Sequence, residues 1–381
     1  MPLHIRKLIA EELQLAESAV RVIAPDVGGG FGYKGKHYPE ELALAWAARR
    51  VGTPLKWTAT RSESFLSDLQ GRDHVTNAEL ALDAHGHFTA LRVDTLVNLG
   101  AYVSTMGTSI SSAVYSSLLA GMYRTPVLFA AVRGVFTNTL PTDAYRGAGR
   151  PEACYVVERL IDAAARELDI DRAELRRRNL IPASAMPYAT SAGPVYDCGD
   201  FARVFERALV LADYAGFEAR RDVSGAGNAA GNTASNQRRR ATATATANTA
   251  RGIGIACYVE TAGVGPSKFA RAGGARVGLS EHAEISVDQQ GRVTAVLGTH
   301  NHGQGHETVF AQILVSRLGI PMDAIDIVEG DTARIAHGTG TFGSRSIAVG
   351  GSALVGAADS LFAQGKLVAA RLLGVPVDEV R

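Results

Sequence analysis

The feature that most constrains this chain is a layout it carries twice. Residues 78–103, "AELALDAHGHFTALRVDTLVNLGAYV", read as two strands around the turn "DAHGH", with Leu80, Leu82, Leu91 and Val93 alternating with polar neighbours. Residues 283–305, "AEISVDQQGRVTAVLGTHNHGQG", repeat that order of strand, turn, strand and glycine-bearing loop. Helical patterns follow each hairpin: "EACYVVERLIDAAAREL" at 152–168 after the first, and "ETVFAQILVSRLG" at 307–319 after the second. The strand "AIDIVEGD" and the long small-residue helix "GGSALVGAADSLFAQGKLVAARLLG" complete the second block. The pattern predicts an α+β fold: two duplicated-looking blocks of mixed sheets, hairpins and packed helices. That mixed order argues against a doubly wound parallel sheet.

The segment "MPLHIRKLIAEELQLAES" predicts an amphipathic helix with Ile5, Leu8, Ile9, Leu13 and Leu15 as its apolar stripe. Charges break any signal-peptide h-region there, so no leader is expected. A β-rich run, "AVRVIAP", follows. "YPEELALAWAARRVG" predicts a helix opened by Pro39 and closed by Gly52, and "PLKWTATR" a short strand. The blocks are expected at 1–187 and 252–381, with a connecting segment at 188–219. Residues 220–251 hold one aliphatic larger than alanine, Val223, and read as a disordered low-complexity linker. Arg238, Arg239 and Arg240 lie in it without interleaved aromatics, a weak pattern for nucleic acid.

The 39 basic residues nearly balance the 38 acidic ones, which gives no electrostatic case for a nucleic-acid or anionic-membrane partner. No run of the sequence reaches the 18 or more apolar residues of a membrane span. Cys154, Cys198 and Cys257 have no metal-ligand spacing, and their odd number fits a reducing cytoplasm better than a disulfide framework.

Four segments could carry chemistry. "APDVGGGFGYKGK", residues 24–36, has too many glycines for a bland turn. The helix pattern after its glycines opens only at Pro39, too late for a dinucleotide fingerprint, and the segment lacks the Lys-Ser/Thr pair of a P-loop. Its glycines serve either a close backbone approach to a bound group or a structural turn. "TNTLPTDAYRGAGRPEA", residues 137–153, sets Arg146 before Gly147 and Gly149; the guanidinium serves either an oxyanion or a helix-entry salt bridge. "GTHNHGQGHETVFAQ", residues 298–312, places His300, His302 and His306 in a loop that could hold zinc. The same loop could present a helix N-terminus, with the Gln304 amide, to an anion. "GTGTFGSRSIAVGGSAL", residues 338–354, is a further candidate oxygen cradle, with Ser344 and Ser346 flanking Arg345.

Together with "RAELRRRNLIP", these segments in this order resemble the large, molybdenum-binding subunit of the xanthine dehydrogenase, aldehyde oxidase and carbon monoxide dehydrogenase family. The resemblance covers the chain outside the linker. It implies a hydroxylase or oxidoreductase that oxidises an aldehyde or N-heterocycle with water-derived oxygen, using a molybdopterin cytosine dinucleotide. The metal is then held through the pterin and not by a side chain. The implied cofactor contacts are Gly30, Phe31, Gly32, His302, Gly303, Gln304, Gly305, Gly343, Ser344, Arg345 and Ser346, with Arg146 facing the substrate. The implied partners are an iron–sulfur small subunit and an FAD-binding medium subunit, the only carriers of those cofactors.

The family's copper-holding cysteine after the arginine is replaced by Gly147, and its second substrate arginine by Val114; both disfavour particular substrates, carbon monoxide and purines. The resemblance also implies that the family's general-base glutamate and its oxo-binding glutamine fall outside this sequence. Glu40, Glu41, Glu152 and Glu307 lie near the motifs. Of these Glu152, beside Arg146, is either a substitute base or the first-turn acid of a helix. The competing reading is a stand-alone cofactor-binding or inactive chain.

Overall fold

The computed structural model describes residues 1–35, 37–224, 251–266 and 279–380. Most of the expected linker, with Arg238, Arg239 and Arg240, lies outside these residues. The chain divides into two compact units, one formed by 1–70 with 260–381 and the other by 71–259. These units cut the chain differently from the sequential blocks expected at 1–187 and 252–381. The first 70 residues are knitted into the C-terminal block: Ile23 bridges Asp331, and Arg21 holds the Asp331 carboxylate at 2.6 Å.

In the N-terminal segment, α1 (Pro2–Glu12) ends one residue before Leu13, and its buried residues are Pro2 and Ala10. The expected aliphatic stripe at Ile5, Leu8 and Ile9 is only half-buried. α2 (Pro39–Val51) starts as predicted at Pro39, with Glu41 reaching back to the Tyr38 N–H. Residues 54–60 form no strand, contrary to expectation. Thr60 instead caps α3 (Arg61–Ser67) in a reciprocal box with Glu63, its hydroxyl accepting from the Glu63 N–H at 3.2 Å.

The middle unit is built on β1 (His74–Leu82), β2 (Phe88–Asn98) and β3 (Val127–Val135). β1 pairs antiparallel with β2, and β3 adds parallel to β2. α4 (Arg150–Glu167) covers the sheet with Ala153, Val157, Ile161 and Ala165, a four-residue repeat that keeps one face inward. α5 (Arg172–Asn179) is capped by Asp171, whose carboxylate accepts from the Ala173 and Glu174 N–H groups at 2.9 and 3.0 Å. α6 (Phe201–Leu211) inserts Phe205 into the same core.

The C-terminal block repeats the plan. β4 (Ala283–Val287) pairs antiparallel with β5 (Val293–Leu297), and β6 (Ile325–Val328) adds parallel to β5. α7 (His306–Leu318) and α8 (Gly351–Leu373) pack on that sheet through Phe310, Leu314, Leu354 and Ala358. The duplication reaches individual atoms. In the first hairpin the Asp83 Oδ1 accepts from the His85 and His87 N–H groups, both at 2.8 Å. In the second, Asp288 Oδ1 accepts from Gln290 and Arg292, both at 2.9 Å.

The helical stretch Ser346–Leu373 is long and apolar enough, by length and composition, to cross a membrane, with a mean hydropathy of 1.4. The expectation from apolar runs missed this, because Asp359 and Lys366 interrupt the sequence without lowering the average much. Leu354 and Ala358 on this stretch are fully buried against α7 and the sheet, whereas Phe362, Leu367, Val368, Leu372 and Leu373 are exposed and only 22% of the apolar window is buried.

Candidate functional site

Three loops of the unit formed by 1–70 and 260–381 meet at one histidine. The His300 backbone N–H donates to Thr341 Oγ1 at 2.9 Å, and its ring Nε2 lies 3.0 Å from the Ala24 carbonyl. That single residue joins the glycine loop at 24–32, its own loop at 298–306 and the loop at 338–346. His302 continues the contact. Its ring meets His300 edge-on with centroids 4.8 Å apart, and a Cβ built on Gly30 would lie 2.9 Å from His302 Nδ1. Only glycine lets the backbone at 30 pass this close to the ring.

The loop at 301–305 is braced from within. Asn301 Oδ1 accepts from the Gly303 and Gln304 N–H groups at 2.9 and 3.1 Å, and the Gln304 carboxamide oxygen accepts from the His302 N–H. Gly303 and Gly305 sit at φ +104° and +76°, and a Cβ on either would face open space. α7 begins at Gly305 without a side-chain cap. Its first N–H groups have no side-chain cap, the condition in which a helix N-terminus can receive an anion. Phe31 and Ser344, on the two flanking loops, hold left-handed φ of 51° and 55°. Such conformations cost about 1–3 kcal/mol in a side-chain-bearing residue and persist where the surroundings fix them.

Arg345 differs from its neighbours. It is 1% exposed, and its guanidinium pairs with the buried Glu281 while donating to the carbonyls of Val264, Gly340 and Leu279. Glu281 in turn accepts from the Thr339 and Gly340 N–H groups at 3.0 and 3.2 Å. The Arg345 side chain is thus bound up inside the protein, where it shapes the loop on which Ser344 and Ser346 sit. Ser346 Oγ is 2.9 Å from Thr341 Oγ1.

The zinc alternative for the three histidines finds no support in this geometry. His300 is engaged by Ala24, and His306 Nδ1 lies 3.1 Å from both oxygens of the buried Glu329. Among the described residues no group of three or more His, Cys, Asp or Glu side chains could hold a metal ion. Burial, reinforced by the nearby His300, pushes the His302 imidazole down to about 4. Burial also lowers His300, against the opposing bond to Ala24.

Arg146 belongs to the middle unit and is exposed there. The turn that carries it has Gly147, Ala148 and Gly149 in succession at φ +95°, +48° and +83°. A Cβ at 147 would lie 2.3 Å from Pro151 Cγ. Asp143, 3% exposed, anchors the turn by accepting from Ser104 Oγ at 2.5 Å and the Met106 N–H at 2.9 Å. Glu152 lies in the first turn of α4, and its Oε2 is buried with no hydrogen-bond partner among the described residues. Glu307 accepts from Asn301 Nδ2 at 2.5 Å, and Glu41 is occupied by the Tyr38 N–H.

Sequence reasoning missed His300 as the hub, and with it Thr341, Glu281 and Glu329. Each is an isolated polar residue whose partner is distant in sequence, so no local spacing marks it. The motif "RAELRRRNLIP" proves to be structural: Arg176, fully buried, pairs with Glu158 at 2.8 Å and Asp162 at 2.9 Å.

Two molybdopterin cofactor-binding domain families match the chain, over residues 1–180 and 229–381. The carbon monoxide dehydrogenase large chain of Hydrogenophaga pseudoflava is 35% identical over 98% of this chain and 44% of its own length. The 6-hydroxypseudooxynicotine dehydrogenase complex subunit gamma of Paenarthrobacter nicotinovorans is 33% identical over 98% of this chain and 44% of its own length. Among solved structures, quinoline 2-oxidoreductase from Pseudomonas putida 86 superposes with a TM-score of 0.86 at 28% identity, covering 100% of this chain and 46% of that one. The Cu,Mo-CO dehydrogenase superposes with a TM-score of 0.84 at 33% identity, covering 99% and 46%. The chain thus spans less than half the length of these relatives. The chain, with its two molybdopterin cofactor-binding domains, belongs to the molybdenum-binding large subunits of the xanthine dehydrogenase, aldehyde oxidase and carbon monoxide dehydrogenase family.

Proposed function

We propose that this chain supplies the cofactor-holding loops of a molybdopterin-dependent hydroxylase. The observation that carries the reading is the meeting of three glycine-bearing loops at His300, beside the uncapped start of α7. The residues fit an anionic, oxygen-rich group. Open-space glycines and free first-turn N–H groups suit a pyrophosphate, and the dipole of α7 favours it further. The bound cofactor supplies two-electron redox chemistry and a water-derived oxygen for insertion at a carbon centre.

We assign the protein groups the following roles. His302, Gly303, Gln304, Gly305 and the first turn of α7 bind the phosphates. Gly343, Ser344 and Ser346 offer a second set of donors, on a loop that Arg345 and Glu281 hold in shape from inside. Gly30, Phe31 and Gly32 bring backbone close to the reactive end of the group. Arg146 presents a permanent cation to a substrate oxygen that gains negative charge during reaction.

We further assign the cytosine dinucleotide form of the cofactor, and partner subunits that carry iron–sulfur clusters and FAD. The substrate class is an aldehyde or N-heterocycle. Gly147 supports setting carbon monoxide aside, because the Pro151 ring occupies the space a copper-holding side chain at 147 would need. Three free cysteines suit a cytoplasmic location. The test is to purify the chain, with any subunits that accompany it, from a host that makes the cofactor. Nucleotides are then released by acid. CMP in proportion to molybdenum is expected; GMP, AMP or no nucleotide overturns the cytosine assignment.

A further inference from the structure

We propose that Arg72 is a positioning residue that sets the direction of the Arg146 turn. The inference rests on the role given to Arg146 above. Arg72 precedes β1 and holds a left-handed φ of 62°, unusual for a residue with a long side chain. Its guanidinium does two things at once. It lies over the Tyr145 ring, 4.7 Å from the centroid, and it donates to the Arg146 carbonyl. The backbone before it is pressed against the same turn: a Cβ on Gly71 would meet Tyr145 Cβ at 3.0 Å and the Asp143 carbonyl at 3.4 Å.

The need for such a clamp follows from the turn itself. After Arg146, three consecutive residues lie at positive φ, so no regular ladder fixes the peptide planes. The carbonyls on either side of 146 are used locally. That of Tyr145 accepts from the Ala148 N–H at 2.7 Å, and that of Gly147 from Arg150 Nη1 at 3.1 Å. The carbonyl of Arg146 turns instead to Arg72. Asp143 fixes the entry to the turn, and Arg72 fixes the plane between 146 and 147. That plane sets where the Arg146 side chain starts. A planar guanidinium can stack on a ring and donate in its own plane together, which a lysine ammonium cannot.

The test uses trypsin, which cuts after Arg146, and hydrogen exchange on the full chain. In R72Q the 146–147 bond is expected to be cut about five- to tenfold faster, and the Ala148 and Arg150 amides to exchange faster by a similar factor. R72K is expected to fall between R72Q and wild type. R133Q, which removes another exposed arginine, serves as the control and leaves the turn unchanged. If R72Q misfolds, Y145A is used: it removes the stacking surface and is expected to loosen the same bond. Unchanged cleavage and exchange in folded R72Q, or equal loosening in R133Q, overturns the proposal.

In the assembled enzyme, R72Q is expected to lower kcat on an aldehyde probe more than it alters KM. A loosened turn in R72Q with an R146Q variant of unchanged turnover would remove the functional reading of Arg146 and leave the clamp standing.

Discussion

His302 is where a single residue carries most of the site's physics. Its ring fills the space beside Gly30, and burial with the neighbouring His300 holds its pKa near 4, against an ordinary 6.5. The fold therefore keeps this ring neutral. As pH falls through 6.5 the unfolded chain gains a proton that the folded chain refuses until about 4, so stability contributed by the neutral ring is lost between those values. Urea midpoints should fall from pH 7 to pH 4.5, and H302N should flatten that slope; an identical slope in H302N contradicts the argument. Glycines 303 and 305 were legible in sequence because bare backbone near a helix start has few uses. His300 was not, since its partners Ala24 and Thr341 come from remote segments and no spacing ties the three.

At the scale of elements, the duplicated hairpins were the most legible part of the chain. Strand alternation and the turn sequences "DAHGH" and "DQQGR" follow from local chemistry, because in each turn an aspartate accepts from the second and fourth N–H groups after it. β3 and β6 extend the duplication by parallel pairing, which depends on crossovers that no local pattern fixes. The charge-rich α5 was opaque for another reason. Arg176 looks like surface charge, yet it is buried between Glu158 and Asp162, and Tyr123 Oη donates to Glu158 Oε1 at 2.6 Å. Burial raises the Glu158 pKa while facing charges oppose it. Replacing Glu158 leaves the buried Arg176 with Asp162 as its one carboxylate and removes the acceptor of Tyr123 Oη, so E158A should cost about 3–5 kcal/mol in chemical denaturation. On α5 itself, D171A removes the cap and should cost about 1 kcal/mol. A cost for E158A no larger than that for D171A would show that the ion pair is not buried in solution.

For the whole molecule, the sequence order of motifs pointed to the family before any geometry did, but it did not show how the segments group. Residues 1–70 read as the start of the first block, yet pack with the C-terminal residues through Ile23, Arg21 and Asp331. That grouping brings the glycine loop to the histidine loop. The central claim is that these loops hold the molybdopterin cofactor, and Gly30 is where it is tested most directly. Valine there would drive its side chain into the His302 ring without touching the two sheet cores. The decisive measurement is the molybdenum-to-protein ratio of wild type and G30V, purified alike from a cofactor-making host and matched by circular dichroism. About one metal per wild-type chain, and a loss of at least tenfold in folded G30V, is the expected result. Folded wild-type protein without molybdenum, or equal occupancy in G30V, would contradict it.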